Sequence, residues 1–377
     1  MWVDLAIKVG VCGLVLGGVL NFAGMQTWLE RKQSALMQDR IGANRAYFTI
    51  RWLGPLGAPI NWLLRKVGSL GILNALADVL KLFTKEDFIP VTADRFLHTL
   101  APFLSVLFAL MAFIAIPIGP TVELWGRQIP LQVANINAGL LFILALASIG
   151  IYGVILGGMA SGNNLATLGG LRAASQMLGY EIALGVSLIG IVVWAGSLDL
   201  QQIVAKQGGV TLWGWLPAWG VFFQPIGCLV FMTAALAETK RVPFDLPEGE
   251  PEIIGYFTEY SGMKFGLFFL TDFVEVVLVA ALTTTLFFGG WQVPWLAPDG
   301  FYFPWHAIVP VSHLTYVALG VVSFTIKVMA FIWFFMLIRW TLPRFRYDQL
   351  MHLGWKILFP LSLVNIVLTG ILIVAHA

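Results

Sequence analysis

Residues 237–252 read AETKRVPFDLPEGEPE, a charged stretch that interrupts an otherwise strongly apolar chain. Four carboxylates fall within eight of these residues: Asp245, Glu248, Glu250 and Glu252. The stretch separates two apolar runs, near 217–237 and 264–288, each long enough to cross a bilayer. It therefore lies at or near a membrane boundary, where acidic side chains packed together can hold and pass protons.

The composition of the whole chain agrees with a membrane protein. The 377 residues are 59% hydrophobic and 11% charged, and the mean hydropathy is +0.85. No water-soluble domain of this length has such values. Eight apolar runs of about 20 residues predict an all-α, polytopic protein with eight transmembrane helices, near 6–27, 98–119, 136–158, 173–195, 217–237, 264–288, 312–338 and 354–375.

The distribution of basic residues predicts the orientation. Ten Lys and Arg residues lie between the first two spans, and basic residues in short connections mark the cytoplasmic side. The opposite side keeps only Arg127 and Lys206. An even number of spans then places both termini on the outer face, and it makes the acidic loop of residues 238–263 cytoplasmic. The first apolar run has no cleavage site of small residues, so we interpret it as a retained helix.

Several classes of function and site are disfavoured. A net charge of +2 argues against nucleic acid as a partner, because that requires a concentrated basic surface. The two cysteines lie within predicted spans and give neither a disulfide framework nor metal-ligand spacing. The five histidines lie at span ends or at the C terminus, which gives no facing pair for haem. We therefore expect no metal and no redox cofactor in this chain.

The connection of residues 28–97 contains a predicted amphipathic helix at about 71–84. Its apolar side chains, Ile72, Leu76, Val79, Leu80 and Phe83, share one helical face. A helix in the interface plane of the membrane and a helix packed on a partner protein are equally good interpretations. Apart from this connection and the acidic loop, residues 1–377 are expected to form a single integral membrane domain.

Four of the ionisable residues within the predicted spans are candidates for function. Glu181 lies in span 4, and Asp272 and Glu275 share one face of span 6. Lys327, in span 7, is a plausible partner for one of these acids. The structural alternative is a static ion pair that joins helices. In the loop, Pro243, Pro247 and Pro251 prevent a regular helix, and the alternative for its acids is a solvated surface with ordinary pKa values.

With these residues in view, the chain resembles the quinone-channel membrane subunit of proton-pumping NADH:quinone oxidoreductase, respiratory complex I. The resemblance covers nearly the whole chain. Its most specific segments are Glu238–Gly262 and the run Arg346-Tyr347-Asp348-Gln349-Leu350-Met351. It implies a non-autonomous translocase subunit of the bacterial inner membrane. Its first helix, interfacial helix and sixth helix would form an opening through which quinone, the substrate, reaches the reduction site.

The resemblance also implies roles for individual residues. The quinone path would be lined by Arg31, Arg40, Asp78, Arg241, Phe244 and Asp245. A proton relay would run through Glu181, Glu238, Glu248, Glu250, Glu252, Glu259 and Asp272. Flavin and iron–sulfur clusters would belong to partners: peripheral iron–sulfur and quinone-site subunits, small membrane subunits and antiporter-like subunits, with lipid around them.

The chain departs from the family pattern at several places. Ala43 and Asn74-Ala75 replace a proline and a Gln-Pro pair, Glu275 stands where a neutral residue is common, and residues 46–70 form an insert that suits a membrane contact or a partner-specific loop. Two rival functions stay open. A stand-alone ion-coupled transporter would work in proteoliposomes without partners, and the anchor of a proton-pumping hydrogenase would co-purify with a nickel–iron subunit.

Overall fold

The protein is mostly helical. A computed structural model describes residues 2–44, 49–50, 54–124, 126–208, 211–212, 216–249, 255–302 and 308–376. Within these ranges, seven helical segments are long and apolar enough to cross a membrane. The predicted all-α membrane class is thereby confirmed, whereas eight spans and the direction in which they cross the membrane stay predictions.

The long helices follow the predicted apolar runs. They are α1 (Trp2–Met37), α4 (Arg95–Met111, extended by a 3-10 turn at Ala112–Ala115), α5 (Gly139–Ala160), α6 (Asn164–Ala195), α10 (Gly262–Phe287), α11 (His313–Thr341), and α12 (Tyr347–His352), which continues through a π-helical turn at Leu353–Leu358 into α13 (Phe359–His376). Polar side chains mark several helix starts. Asp94, for example, accepts hydrogen bonds from the amides of Phe96 and Leu97 at the start of α4.

The run predicted as the fifth span is divided in two. It contains α8 (Gly220–Phe223) and α9 (Pro225–Glu238), and the chain breaks at Gln224, whose φ is −132°. With 14 residues, α9 is about 21 Å long, shorter than a hydrocarbon core of about 30 Å.

Two short helices precede α4. Helix α2 (Ala58–Leu70) lies within the insert of residues 46–70, and α3 (Leu73–Thr84) lies in the range predicted for the interfacial helix. Their axes meet at 95°. Gly71 forms the corner with φ +82°, and a Cβ there would lie 2.2 Å from the carbonyl oxygen of Ala43, so only glycine fits.

Small residues bring the central helices together. Helix α6 packs against α5, α9 and α13, and α10 packs against α1, α4 and α11. Where α5 meets α6, a Cβ on Gly158 would lie 2.7 Å from the carbonyl oxygen of Ala166. Close backbone approach of this kind is typical of helix packing in membranes. Helix α10 is the most enclosed, with nearly every side chain from Thr271 to Phe287 buried.

Short helical and extended segments connect the long helices. Helix α7 (Leu200–Lys206) follows α6. In the described part of the chain there are three antiparallel sheets: β1 (Val122–Leu124) with β2 (Arg127–Ile129), β3 (Thr211–Leu212) with β4 (Leu216–Pro217), and β5 (Leu296–Ala297), β6 (Gly300–Tyr302) and β7 (Ile308–Pro310) in that order. The β1–β2 register pairs Val122 with Ile129. These sheets lie at the end of the bundle opposite the acidic loop.

Candidate functional site

The loop after α9 folds onto the bundle. The Gln176 side-chain amide, on α6, donates to the carbonyl oxygens of Ala237 at 2.8 Å and Phe244 at 2.7 Å. A Cβ on Gly169 would lie 3.0 Å from the amide nitrogen of Tyr256, so glycine permits the loop to close on α6. Asp245 is only 6% exposed. The alternative of a solvated loop is therefore wrong for Asp245.

Lys240 is the cation that neutralises the acids of the sixth predicted span. Its Nζ lies 3.0 Å from Asp272 Oδ1 and 3.3 Å from Glu275 Oε2, and the lysine side chain is 1% exposed. Burial opposes the ammonium charge, but the two carboxylates outweigh burial and raise the pKa of Lys240 well above its ordinary value. Lys240 is thus a buried link between the loop and α10, and the two carboxylates favour its charged form.

Lys327 does not take this place, and the suggestion that it pairs with a span acid is wrong. Its Nζ donates to the carbonyl oxygens that follow α10: Phe288 at 2.8 Å, Gly290 at 3.0 Å and Gln292 at 2.7 Å. The ammonium also lies 4.7 Å from the ring centroid of Trp219. Lys327 therefore satisfies carbonyls at the C-terminal end of α10.

Glu30 joins α1 to the loop and to α11. Its Oε1 accepts from Arg241 Nη1 at 3.0 Å and from Arg339 Nη1. The Arg241 guanidinium lies 4.0 Å from the ring centroid of Phe273. Burial lowers the pKa of Arg241, although Asp272 and Glu248 partly oppose this effect. Arg241 was expected in the quinone path, whereas neither Glu30 nor Arg339 was singled out.

Asp245 and Phe244 contact the segment after α11. Arg344 Nη2 donates to Asp245 Oδ2 at 2.6 Å. Phe244 packs between Phe345, whose ring centroid lies 5.4 Å away, and Tyr180 on α6 at 5.8 Å. The specific run at 346–351 thus follows directly after the residues that contact the loop.

Glu248 is a half-buried acid in the same loop. Burial, with smaller contributions from the nearby carboxylates Asp272 and Asp245, raises the pKa of Glu248 well above its ordinary value. Such a group takes up a proton when positive charge near it is removed or negative charge is added. Glu250 and Glu252, predicted as members of the relay, lie outside the described residues.

Glu259 occupies the far end of the loop. Its Oε1 accepts from Asn163 Nδ2 at 2.9 Å. Its carbonyl oxygen lies 3.4 Å from Nε2 of His98, and the His98 ring stacks on Tyr260 with 3.9 Å between centroids. Glu259 is therefore joined to α4 and to the start of α6, away from the Lys240 cluster.

The remaining relay candidates lie within the bundle. The Ser148 hydroxyl donates to Glu181 Oε1, between α5 and α6. Glu238 and Glu275 line one cavity of about 50 Å³, together with Ser105 and Thr239. This space accommodates a few water molecules, because about 10–15 Å³ suffices for one. The end of α9 and the acidic face of α10 therefore line the same cavity.

The residues predicted nearer the membrane opening form a separate group. Arg31 Nη2 donates to Asp78 Oδ2 at 2.5 Å and so joins α1 to α3. Arg40 Nε donates instead to Gln38 within its own segment, at 2.6 Å. The structure thus brings Arg31 and Asp78 together, whereas the hydrogen bonds of Arg40 to other described residues are local, to Gln38 and Ser34.

Sequence reasoning missed four charged residues of the site: Glu30, Lys240, Arg339 and Arg344. Lys240 lies within Glu238–Gly262 and Arg344 lies just before the run at 346–351, and this proximity to the segments that carry the resemblance was the only signal for them. Nothing singled out Glu30 or Arg339. Within the described ranges, no group of three or more His, Cys, Asp or Glu side chains could hold a metal ion.

Comparison with known proteins identifies the family of the chain. The sequence model of the NADH dehydrogenase family matches residues 9–370. The chain is 44% identical to an H subunit of NADH-quinone oxidoreductase from Geobacter metallireducens, over 97% of this chain and 96% of the relative. It is 41% identical to the NADH-quinone oxidoreductase H subunit of Thermomicrobium roseum, over 98% and 97% of the two chains. Because these matches run from end to end, the chain belongs to the NADH dehydrogenase family.

Proposed function

We propose that this chain is the H subunit of a proton-translocating NADH-quinone oxidoreductase of the bacterial inner membrane. It forms the quinone access channel and the floor of the reduction site. It also couples quinone reduction to proton movement through buried carboxylates. The names of its relatives support the assignment as an H subunit. Flavin and iron–sulfur clusters belong to peripheral partners, and small membrane and antiporter-like subunits complete the assembly.

A single observation carries the coupling proposal: three charged residues of one short loop contact three different parts of the bundle. Lys240 pairs with α10, Arg241 with α1 through Glu30, and Asp245 with Arg344 after α11. A change of charge beside this loop therefore acts on several helices at once. Charges in a medium of low dielectric constant interact strongly over these distances.

The loop residues suit the chemistry of quinone reduction. A quinone takes up two electrons and two protons to become a quinol, so negative charge develops beside the site until protons arrive. Glu248, whose pKa is raised, is protonated in a larger fraction of molecules than an ordinary glutamate and can supply one proton. Arg241 lies beside it as a fixed positive charge that stabilises the reduced headgroup.

The change in protonation then spreads from the loop to the carboxylates of the bundle. The negative charge that forms on the quinone attracts Lys240, and this attraction weakens the contacts of Lys240 with Asp272 and Glu275. Those carboxylates become less compensated and favour proton uptake. The cavity shared by Glu275 and Glu238 gives the proton a short path to the end of α9, and Glu181 continues the route. Each transfer along this route moves one proton from one carboxylate to the next. The proton that Glu248 gives to the quinone, and the second proton of the quinol, are replaced from the aqueous phase.

The access channel is proposed where α1, α3 and α10 lie together. Helix α1 contacts both α3 and α10, and the Arg31–Asp78 pair joins the first two of these helices. The apolar face of α3, which includes exposed Leu76, Leu80 and Phe83, offers a hydrophobic surface along which the isoprenoid tail of a quinone can lie. Phe244 is buried between Phe345 and Tyr180, where it would support the floor of the site beneath the headgroup.

Glu248→Gln in the assembled complex tests the relay. We expect assembly to persist and NADH:quinone reductase activity to fall, with proton translocation lowered at least in proportion; Glu250→Gln is expected to act in the same way. Glu123→Gln, on the exposed β1 hairpin at the other end of the bundle, is the matched control and should change neither. Normal turnover and normal pumping in both loop variants would refute the relay.

A further inference from the structure

Helix α2, within the insert of residues 46–70, is amphipathic. Its apolar side chains recur with helical spacing and share one side: Ile60, Leu63, Leu64, Val67 and Leu70. Polar side chains share the opposite side: Asn61, Arg65 and Ser69. A helix with two such sides is typical of a boundary between water and an apolar phase. The insert thus supplies a surface helix in addition to α3.

The apolar side of α2 is largely exposed. Ile60, Leu63 and Leu70 all have exposed side chains. Ile72, just beyond the corner at Gly71, is exposed as well, so the exposed apolar surface continues along the chain from α2 into α3. Large apolar patches on a protein surface mark contacts with lipid or with another protein. This side of α2 therefore has an occupant of one of these two kinds.

Hydrogen bonds fix the depth of α2 relative to the bundle. Trp28 is the first residue after the predicted span at 6–27, and its Nε1 donates to the Leu70 carbonyl oxygen at 2.6 Å. Near the other end of α2, the Ile50 amide donates to Asn61 Oδ1 at 2.8 Å, and Asn61 Nδ2 donates to the Ile50 carbonyl oxygen at 3.2 Å. The C-terminal end of α2 therefore lies where α1 leaves the predicted membrane, at the level of the lipid headgroups.

The charge and the aromatic content of the insert favour lipid as the occupant. Residues 46–70 include Arg51, Arg65 and Lys66 but no Asp or Glu. Lys66 Nζ lies 4.7 Å from the ring centroid of Trp62, and both side chains are exposed. Tryptophan is enriched at the level of the headgroups, and a positively charged segment is attracted to the anionic lipids of the cytoplasmic leaflet.

We propose that α2 lies flat on the cytoplasmic leaflet of the bilayer, with its apolar side among the acyl chains and Lys66 among anionic headgroups. The corner of 95° with α3 allows both helix axes to lie in the membrane plane. With 13 residues, α2 is about 20 Å long and extends the predicted interfacial contact of α3 by that length. A segment that dipped into the bilayer would instead carry Asn61, Arg65 and Ser69 into hydrocarbon, which is costly. The proposal does not depend on the proposed quinone and proton chemistry.

Photo-crosslinking in the assembled complex tests this orientation. A photo-crosslinking amino acid is placed at Leu63 on the apolar side or at Ser69 on the polar side, and the complex is reconstituted in nanodiscs of phosphatidylcholine and phosphatidylglycerol. Mass spectrometry then identifies the adducts. We expect lipid adducts at Leu63 and few or none at Ser69. Crosslinks from Leu63 to a partner subunit, equal lipid adducts at the two positions, or no lipid adduct at Leu63 would overturn the proposal.

Hydrogen exchange of the α2 amides separates the apolar contribution from the charge contribution. Leu63→Gln removes an apolar contact with lipid and should speed exchange about tenfold, whereas Ser69→Gln, on the polar side, is the matched control and should exchange like the wild type. Lys66→Gln should speed exchange about fivefold in nanodiscs that contain phosphatidylglycerol and much less in phosphatidylcholine alone, and Lys66→Arg should preserve protection. Equal exchange in Leu63→Gln and Ser69→Gln, or a Lys66→Gln effect of the same size in both kinds of nanodisc, would refute the proposal.

Discussion

The Lys240 cluster gives the sharpest prediction about what stabilises the site. Replacing Lys240 by Met leaves Asp272 and Glu275 without the cation that lies 3.0 and 3.3 Å from their oxygens. At an effective dielectric constant of about 20, each of these attractions amounts to about 5 kcal/mol before the cost of desolvation. Removing one partner of a buried ion pair typically destabilises a protein by about 3–5 kcal/mol. We expect Lys240→Met to lower assembly and thermal stability accordingly.

The companion variant separates charge from packing. Lys240→Met combined with Asp272→Asn and Glu275→Gln removes all three charges, so most of the lost stability should return, since apolar or neutral replacement of a buried ion pair is often tolerated. Lys240→Arg keeps the charge in a bulkier group and should be less damaging than Lys240→Met. The measurements are the amount of assembled complex on native gels and the apparent melting temperature of the purified complex.

The same variants also test function. The triple variant should assemble yet show impaired proton translocation, because the acids proposed to change protonation are gone. The reasoning is refuted if Lys240→Met assembles and melts like the wild type. It is also refuted if the triple variant is no more stable than Lys240→Met alone, because the damage would then come from lost packing and not from uncompensated charge.

Three further predictions follow from other contacts. The pKa of Glu248 is raised in the folded protein, so its protonated form stabilises the fold below the ordinary glutamate pKa, and this contribution is lost as pH rises through the raised pKa. Glu248→Gln should therefore flatten the dependence of melting temperature on pH over this range. An unchanged profile would contradict the raised pKa. Asp245→Asn and Arg344→Gln should each raise the KM for quinone. A double-mutant cycle on the free energy of unfolding should give a coupling of about 1.5–3 kcal/mol between the two residues. Strictly additive effects would argue against their contact. Arg31→Gln should change stability by no more than about 1 kcal/mol, because the pair with Asp78 is half-exposed, while the KM for a long-tailed quinone rises more than that for a short-tailed analogue; an equal effect on both would exclude a role at the membrane opening.

The sequence was sufficient to predict the membrane class and the positions of most helices. Runs of about 20 apolar residues report burial in lipid directly, so α5, α10 and α11 appear where they are expected. The fifth run was harder, because hydropathy measures composition and does not reveal the break at Gln224 before α9. The predicted helix at 71–84 corresponds to α3, but the sharp corner with α2 depends on the conformation of Gly71.

The pairing of charges could not be predicted from periodicity. Asp272 and Glu275 were correctly placed on one face of a helix, but the identity of their cation depends on how a loop about 30 residues away in sequence folds back. Lys327 was the obvious candidate for this cation because it lies deep within a predicted span, but it instead donates hydrogen bonds to three carbonyl oxygens. Glu30 was overlooked because an acid at a span end resembles an ordinary solvated residue until two arginines are seen around it.

The central claim is that loop carboxylates change protonation when quinone is reduced nearby. Redox-induced infrared difference spectroscopy of the assembled complex measures this directly, with wild type compared against Glu248→Gln and the control Glu123→Gln. We expect a protonated-carboxyl difference band on quinone reduction that is lost or diminished in Glu248→Gln and retained in Glu123→Gln. A wild-type spectrum without any carboxyl band, or one identical in Glu248→Gln, would contradict it.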